Sequence, residues 1–494
     1  MHALRRRTSV GGGNLLLTVS VEDYFHGKAF AGVIDERQWP RFEARVEKNT
    51  LASLELLRRT GSQATFFFLD WVAGRHPDLV REVIRQGHEV ACGANSNSGF
   101  HHLSSREFSE EAARSKDILE NAAGIAINGF RAADHHLTPK DMWALRVLSE
   151  RGFLYDSSVN PWAMAFRKEP WRRFIHQEVF GGRRLWEVPM SSVEALGFHV
   201  PVAGGNWFRQ LPETAIRRAV KSWSEAGSSP FVMYFRVWDL DADQPVITGA
   251  PALSRLRHYR NPERVPALIE SFLEQYPASS IGGYLGLEQA PVATAPRIAP
   301  ETIDIQRRPS QAPRTPVTVV IPCYNEQAAL PYLSNTLRGL RTAASAYDLH
   351  FLFVDDGSSD GTYDALRGLF GEMEGCQVIK HDRNRGVAAA IMTGIRNAST
   401  DIVCSMDCDC TYDPHGLIEM IPLLEAGVDM VTASPYHPRG KVERVPGWRL
   451  CLSRGASFLY RMTLRQRLYT YTSCFRVYRR SAILPIRIKE SGFL

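Results

Sequence analysis

The sequence predicts an α/β protein with two domains joined by a proline-rich linker. Its 494 residues exceed what one hydrophobic core usually serves, and 44% hydrophobic with 23% charged residues is ordinary for a globular chain. Residues 288–315 lack apolar periodicity and hold nearly all of a group of six prolines between positions 291 and 316, a composition typical of an extended linker. The predicted domains are residues 14–287 and 316–494.

Short apolar runs alternate with amphipathic stretches in both domains, and this alternation predicts parallel sheets with helices between the strands. The predicted strands of the first domain are 15–21, 64–69, 89–91, 155–156, 185–188 and 231–235, and its main predicted helices are 41–59, 77–86, 108–123 and 139–151. The predicted strands of the second domain are 317–321, 349–354, 377–380, 401–406 and 429–433. We expect a parallel sheet or barrel first and an open, doubly wound sheet second, each with its site at the carboxyl ends of the strands.

Composition and cysteine usage exclude several classes of protein. No apolar run approaches the roughly 20 residues that a membrane-spanning helix needs. The eight cysteines are too sparse for a disulfide scaffold, and Cys404, Cys408 and Cys410 lack a second group at zinc-ligand spacing. We therefore expect reduced thiols and a cytoplasmic location.

Positive charge is concentrated near the end of the sequence. Between His437 and Arg480 there are eleven Lys or Arg residues and one acid, a net charge of +10, although the whole chain carries only +6. Such a stretch predicts an anionic partner. No nucleic-acid motif accompanies it, so diphosphates and an acidic membrane surface are the expected partners, and nucleic acid is not.

Two acidic motifs follow predicted strands of the second domain. Asp355 and Asp356 precede Gly and Ser residues that open a helix, where acids can accept hydrogen bonds from a nucleoside and backbone amides can face phosphate. A simple turn with a helix cap would use the same residues. Asp407 and Asp409 lie on one side of an extended segment, and hard carboxylate ligands at that spacing suit Mg²⁺ or Mn²⁺ on a diphosphate. The two motifs together favour a nucleotide-sugar site.

The second domain resembles the family 2 inverting glycosyltransferases of GT-A fold, and within them the dolichol- and polyprenyl-phosphate sugar transferases. The motifs that carry the resemblance are VTVVIPCYNE (317–326), FVDDGSSDGT (353–362), HDRNRGVAAAIMTGI (381–395) and MDCDCTYDP (406–414). The resemblance implies that Asp407 and Asp409 are the catalytic, metal-holding pair. It also implies that the nucleotide sugar contacts Pro322, Tyr324, Asn325, Glu326, Asp355, Asp356, Arg385, Arg439, Arg449 and Arg454.

Three departures from that branch bear on the prediction. Thr411 stands where Gln is common, which could loosen metal coordination, and Cys474 stands where Gly is usual. Relatives continue through further helices beyond the position of Leu494, so we expect a truncated domain. If the acceptor is a lipid phosphate, its oxygen is already a nucleophile and no general base is required.

The first domain resembles the polysaccharide deacetylases of carbohydrate esterase type, in the branch linked to exopolysaccharide export. The resemblance rests on TVSVEDYF (18–25), the segment 64–92, GFRAADHH (129–136) and YDSSVNPW (155–162), and it implies a partly regular (β/α) barrel. The family's base, two metal histidines, groove proline and acid map onto degenerate positions: Ser20, Gly93, Asn97, Ala133 and Arg236. None of these side chains supplies an imidazole ligand or a basic oxygen near neutral pH.

Neighbouring residues leave a rearranged metal site as an alternative. Acids and histidines in or near the same loops are Glu22, Asp23, His26, His101, His102, Asp134, His135 and His136. Even so, we predict an inactive deacetylase-like domain that binds carbohydrate or serves as a scaffold.

The predicted function is transfer of a sugar from a UDP- or GDP-type donor to a polyprenyl phosphate or glycan acceptor, in surface polysaccharide or lipid-linked sugar synthesis. The expected location is the cytoplasm, peripherally at the inner face of the cell membrane. A bifunctional deacetylase–transferase and a non-catalytic carbohydrate-binding scaffold are the alternatives.

Overall fold

The computed structural model divides into two compact units. It describes residues 15–292 except 28, 95–102, 133–136, 162–165, 167, 196–197, 203, 227–228 and 248, residues 314–437 except 435, and residues 455, 460, 462, 468–471 and 473–486. The first unit comprises Met1–Asp35 and Ala44–Thr302, and the second comprises Glu36–Glu43 and Ile303–Leu494. The predicted domain boundaries at 287 and 316 stay predictions.

The first unit is built on a curled sheet of eight strands. Its strands are β1 (Leu15–Val21), β2 (Thr65–Leu69), β3 (Glu89–Ala94), β4 (Gly129–Ala132), β5 (Tyr155–Asp156), β6 (His176–Phe180), β7 (Arg183–Glu187) and β10 (Phe231–Arg236), and a separate hairpin joins β8 (Ser192–Ala195) to β9 (Phe198–Pro201). The order is β10-β1-β2-β3-β4-β5-β7-β6, parallel except for the β6–β7 pair. This part-barrel confirms the predicted fold class.

Ten helices of the described chain belong to the first unit. They are α1 (Val46–Thr60), α2 (Asp70–Arg75), α3 (Pro77–Arg85), α4 (Ser105–Ala123), α5 (Trp143–Glu150), α6 (Asn206–Gln210), α7 (Glu213–Ala226), α8 (Ala252–Tyr259), α9 (Arg264–Gln275) and α10 (Ile281–Leu285). The predicted helix 41–59 begins later, at Val46, because the carboxylate of Asp23 accepts hydrogen bonds from the backbone N–H groups of Arg45 and Val46. Helix α4 has a capping box of Ser104 and Glu107.

The second unit is built on a six-stranded sheet. Its strands are β11 (Thr315–Cys323), β12 (Tyr347–Asp355), β13 (Cys376–Lys380), β14 (Ile402–Ser405), β15 (Met430–Thr432) and β16 (Arg476–Arg479), in the order β13-β12-β11-β14-β16-β15. The first four strands in that order are parallel, as predicted, whereas β16 runs antiparallel between β14 and β15. The prediction missed β16, since a four-residue strand with only two buried positions gives little periodic signal.

Helices cover both faces of the second sheet. They are α11 (Leu330–Ala343), α12 (Thr362–Phe370), α13 (Val387–Asn397), α14 (Gly416–Met420) and α15 (Arg480–Ile483). Val319 and Ile321 pack into one core and Val320 packs into the core on the opposite face, so strand β11 reads as a continuous apolar run. Gly394 lets α13 lie against this sheet, because a Cβ atom there would come within 2.2 Å of Val320 Cγ1. No helix in the described part of the chain is long and apolar enough to cross a membrane.

Candidate functional site

The carboxyl ends of β11, β12 and β14 surround a cavity of about 510 Å³ in the second unit. Parallel strands bring their carboxyl ends to one edge of a sheet, which explains how motifs separated by about 80 residues meet there. The cavity is lined by Pro322, Cys323, Tyr324, Glu326, Asp356, Asn384, Gly386, Val387, Asp407, Cys408, Asp409 and Thr411. Six of the residues predicted from the sequence therefore line this one cavity: Pro322, Tyr324, Glu326, Asp356, Asp407 and Asp409.

The aspartate pair follows β14 directly, with Asp407 partly buried and Asp409 exposed. Burial, and then repulsion from Asp409, raise the pKa of Asp407 to about 6. The Thr411 hydroxyl lies 2.8 Å from both carboxylate oxygens of Asp409, and the Thr411 backbone N–H donates to Asp409 Oδ1 at 2.9 Å. Thr411 therefore fixes the orientation of the Asp409 carboxylate.

Negative charge accumulates around this pair. Burial raises the pKa of Glu326, and repulsion from Asp409, Asp360 and Asp407 adds to the shift. Hard carboxylate oxygens that repel one another fit a hard divalent cation, since a bound cation removes the repulsion. Asp407 and Asp409 are the residues placed to hold it. Among the described residues no set of three or more Asp, Glu, His or Cys side chains forms a complete metal cage, so further ligands would have to come from water and from a diphosphate.

The two aspartates that follow β12 have different surroundings. Asp356 lines the cavity and accepts three hydrogen bonds, from His381 Nδ1 at 2.7 Å, Arg385 N at 2.9 Å and Gly386 N at 2.8 Å. Asp355 is fully buried, and neither of its carboxylate oxygens has a hydrogen-bond partner among the described residues. Leaving a buried carboxylate without a hydrogen-bond partner is costly. Of the two aspartates, Asp355 is therefore the one whose oxygens can still accept hydrogen bonds from a bound ligand.

The loop from His381 to Gly386 is organised by Asp356, and the prediction did not assign His381 a role. The carboxylate of Asp356 only accepts, so the proton of the His381 ring lies on Nδ1, while Nε2 lies 3.0 Å from the Thr393 hydroxyl. Gly357, with a φ of +70°, allows this loop to approach, since a Cβ atom there would come within 2.4 Å of the Arg383 carbonyl carbon. The quoted motif HDRNRG contains the signal that could have identified His381.

Other predicted residues lie outside the cavity wall. Asn325 connects two loops: its N–H donates to Ser358 Oγ, and its Oδ1 accepts from the Ser359 N–H at 2.9 Å. The Arg385 side chain pairs with Asp382 at the surface, so Arg385 contributes its backbone amide near the site. The predicted Arg439, Arg449 and Arg454 lie outside the described residues.

Two buried cysteines that the prediction did not assign line the cavity, with Cys323 Sγ and Cys408 Sγ 3.5 Å apart. The hydrogen bond from Cys323 and burial raise the pKa of Cys408, which keeps that thiol neutral. Every cysteine in the described residues is free.

In the first unit, three of the five mapped deacetylase positions are described: Ser20, Gly93 and Arg236, on strands β1, β3 and β10. Ser20 and Arg236 are paired residues of β1 and β10, and Gly93 is paired with Arg131 across β3 and β4. The cavity that Ser20 and Gly93 line measures about 10 Å³, against 510 Å³ in the second unit. A side chain at Gly93 would also crowd the β2 backbone, because a Cβ atom there would be 3.1 Å from Phe68 O.

Two charged side chains, Glu22 and Arg131, also line this small cavity. Arg236 pairs with Glu22 at 2.8 Å, and the indole N–H of Trp238 donates to Glu22 at 3.2 Å. Buried Arg131 donates to Ser157 and Thr18, and burial lowers its pKa to about 10. The carboxylate of Glu22, one candidate for a rearranged metal site, is therefore engaged by a cation and an indole.

Asp23 and His26, two further candidates for a rearranged site, have structural partners. Asp23 caps α1, and the backbone N–H of Asp23 donates to His26 Nδ1 at 2.8 Å. Burial raises the pKa of Asp23 to about 7 and lowers that of His26 to about 3. Asn97, Ala133, His101, His102, Asp134, His135 and His136 lie outside the described residues.

Family models match segments of both units. Residues 318–485 match the family model of glycosyl transferase family 2. Residues 38–144 match the polysaccharide deacetylase model, and residues 157–285 match a domain of unknown function, DUF3473. One segment of the chain is thus similar to polysaccharide deacetylases and another is similar to family 2 glycosyl transferases, the two resemblances that the motifs indicate.

Curated relatives match the glycosyltransferase domain. The dolichol-phosphate mannosyltransferase of Pyrococcus furiosus is 30% identical over 183 residues, 36% of this chain and 50% of the relative. The polyprenol monophosphomannose synthase of Mycolicibacterium smegmatis is 30% identical over 172 residues, 34% of this chain and 63% of the relative. The undecaprenyl-phosphate 4-deoxy-4-formamido-L-arabinose transferase of Serratia proteamaculans is 31% identical over 170 residues, 34% of this chain and 50% of the relative. The chain spans between 50% and 63% of the length of these relatives.

Two solved structures are also similar. A family 4 carbohydrate esterase from Streptomyces lividans is 14% identical, with a TM-score of 0.30 over 56% of this chain and 96% of that one. A mannosyltransferase from Pyrobaculum calidifontis, solved with GDP-Man and Mn²⁺, is 20% identical, with a TM-score of 0.26 over 35% of this chain and 46% of that one.

Proposed function

We propose that the second unit transfers a sugar, with inversion, from a UDP- or GDP-linked donor to a polyprenyl phosphate, and that Mg²⁺ or Mn²⁺ serves as its cofactor. The observation that carries this proposal is the carboxylate pair Asp407 and Asp409, held at the mouth of a cavity that is large enough for a nucleotide sugar. The family model and the curated lipid-phosphate sugar transferases support the same reaction class.

Four aspartates in or beside the cavity have proposed roles in donor binding. Asp355 accepts hydrogen bonds from the nucleoside, and Asp356 holds the 381–386 loop in place. Asp407 and Asp409 hold a divalent cation, which would neutralise the charge that develops on the leaving diphosphate. Arg439, Arg449 and Arg454 are proposed to contact donor or acceptor phosphates. A phosphate oxygen of the acceptor attacks the anomeric carbon directly, since it is already anionic. A glycan hydroxyl acceptor would instead require a base, for which Glu326 has a raised pKa.

Transfer assays on the full chain test the proposal. Radiolabelled UDP- and GDP-sugars are supplied with Mn²⁺ and a polyprenyl phosphate, and lipid-extractable label is counted. We expect label from one of the two donor classes, abolished by EDTA and by Asp407→Asn. Asp348→Asn is the matched control, because Asp348 is an exposed aspartate near the start of β12, at the opposite edge of the sheet. Transfer that survives EDTA or Asp407→Asn, or no transfer from either donor class, would contradict the assignment.

We further propose that the first unit is inactive as a hydrolase and serves as a carbohydrate-binding or scaffolding domain. The size of the described cavity favours this over the bifunctional alternative, because the 10 Å³ that Ser20 and Gly93 line is too small for an acetylated sugar. Metal analysis of the full chain, with acetate release from an N-acetylated glycan, separates the alternatives. Acetate release that follows added zinc or cobalt and survives Asp407→Asn would show a rebuilt deacetylase centre.

The basic stretch 437–480 is proposed to bring the protein to an acidic membrane surface at the cytoplasmic face. Of its described residues, Tyr460 and Met462 are exposed apolar side chains. Each basic residue near an anionic leaflet contributes roughly 1 kcal/mol, so attachment should weaken with salt. Arg461, Arg465 and Arg467 changed together to Gln should weaken sedimentation with acidic vesicles at low salt. Equal sedimentation with neutral vesicles would assign the stretch to the protein core.

A further inference from the structure

A second amphipathic surface lies on the first unit, between residues 246 and 260. Three apolar residues there expose more than half of their surface to solvent: Val246 (61%), Leu253 (57%) and Leu256 (61%). The same segment contains Arg255, Arg257 and Arg260 and no acidic residue. Exposed apolar side chains grouped on one segment indicate a contact surface rather than scattered exposure.

The orientation of α8 is fixed by its inner face. His258 is buried, its ring stacks on Trp238 with centroids 4.3 Å apart, and its carbonyl accepts a hydrogen bond from Arg209 at 2.8 Å. On a helix, positions three, four and seven residues apart share one face. Leu253, Leu256 and Arg257 therefore share one exposed face. Arg260, the residue after the helix, is also exposed, and its guanidinium donates to Gln210 Oε1 at 3.1 Å.

Val246 is tied to the same surface through Tyr259. The Tyr259 hydroxyl donates to Pro245 O at 3.0 Å and accepts from the Ile247 N–H at 2.9 Å. These two bonds hold the 245–247 backbone at the end of α8, three residues beyond Leu256. Val246, Leu253, Leu256, Arg257 and Arg260 are called the α8 surface below.

We propose that the α8 surface lies on a membrane that contains acidic lipid. An interfacial helix needs apolar side chains to enter the acyl boundary and basic side chains to meet anionic headgroups, and both are present on one face. The lack of acidic residues between 246 and 260 makes the whole segment complementary to a negative leaflet. The α8 surface holds none of the proposed donor-binding residues, so the inference stands without the proposed sugar transfer.

The experiment measures partition of the full chain onto vesicles of equal parts phosphatidylglycerol and phosphatidylcholine at low salt. Leu253→Ser with Leu256→Ser should lower the partition coefficient about tenfold, and Arg257→Gln with Arg260→Gln should lower it at least fivefold. The matched controls are Leu51→Ser with Val179→Ser, which change exposed apolar residues elsewhere on the first unit, and Arg183→Gln with Arg184→Gln. The controls should leave partition unchanged.

Each α8 variant is also combined with Arg461→Gln, Arg465→Gln and Arg467→Gln, so that attachment through the second unit cannot hide the effect. The same fold loss in both backgrounds supports a separate surface. Unchanged partition in both backgrounds, or an equal loss in the controls, would overturn the proposal. Sugar transfer to a soluble acceptor, measured on the same variants, should be unaffected, so a failure of the proposed reaction is distinguishable.

Discussion

Both units place their candidate sites at the carboxyl ends of parallel strands. The described residues leave a large cavity at this edge of the second sheet and almost none at this edge of the first. In the second unit, carboxylates face a cavity of about 510 Å³ and repel one another. In the first unit, Glu22 already has Arg236 and Trp238 as partners, and about 10 Å³ remains. Among the described residues, the carboxylate of Glu22 is therefore satisfied by neighbouring side chains, whereas the carboxylates of the second unit still repel one another.

The largest effect that would sharpen this comparison is expected at Asp356. Asp356→Ala leaves the Arg385 and Gly386 amides and the His381 ring without their acceptor, at a cost of about 3 kcal/mol or more. We expect at least a hundredfold weaker donor binding and a lower unfolding temperature. Titration calorimetry with UDP and GDP, and thermal unfolding, measure both effects.

Asp382→Asn is the control for Asp356→Ala, since it removes only an exposed partner of Arg385. If Asp356→Ala bound the nucleotide as tightly as the control, the loop would not be organised by that carboxylate.

A smaller effect is expected at Thr411. Thr411→Val removes the hydroxyl that holds both oxygens of Asp409, a loss of about 1 to 2 kcal/mol, or roughly tenfold in kcat/KM. The apparent Mn²⁺ affinity should fall with it, while Thr411→Ser keeps the hydroxyl and should retain both values. Identical metal titrations for Val and Ser would show that Thr411 does not position Asp409.

The smallest effect concerns how the stability of the first unit depends on pH. Asp156 and Glu187 are paired residues of β5 and β7, both fully buried, and burial followed by repulsion from Asp156 raises the pKa of Glu187 well above 4.5. An acid whose folded pKa is raised stabilises the fold while it is protonated, so this stability is lost as pH rises above about 4.5.

Glu187→Gln should flatten that decline in unfolding temperature between about pH 4.5 and 7. The change keeps an oxygen that can accept the Val159 N–H hydrogen bond of Glu187 Oε1. Unfolding temperatures of the variant and the parent that fall in parallel across this range would show that Glu187 is already ionised in the fold.

Much of the fold and of the open site could be predicted from sequence because the signals are local. The strands Leu15–Val21 and Tyr155–Asp156 have the predicted bounds, and Asp407 and Asp409 lie where the motif places them. The role of His381 depends on its contact with Asp356, 25 residues away, which one sequence does not show. The bond from Thr411 to Asp409 is local, but a single sequence does not show the side-chain orientation that forms it. The filling of the first site depends on Glu22 and Arg236, 214 residues apart in the chain, which only the parallel pairing of β1 and β10 brings together.

The most direct test of the contrast between the two edges is nucleotide-sugar turnover by the full chain with Mn²⁺, compared between Asp409→Asn and Arg236→Gln. Asp409→Asn should lower turnover by more than a hundredfold, since one fewer carboxylate holds the cation that faces the diphosphate. Arg236→Gln should leave turnover unchanged, because we propose that the first unit takes no part in sugar transfer. Full turnover in Asp409→Asn, or its loss in Arg236→Gln, would contradict the assignment of the open edge as the reacting site.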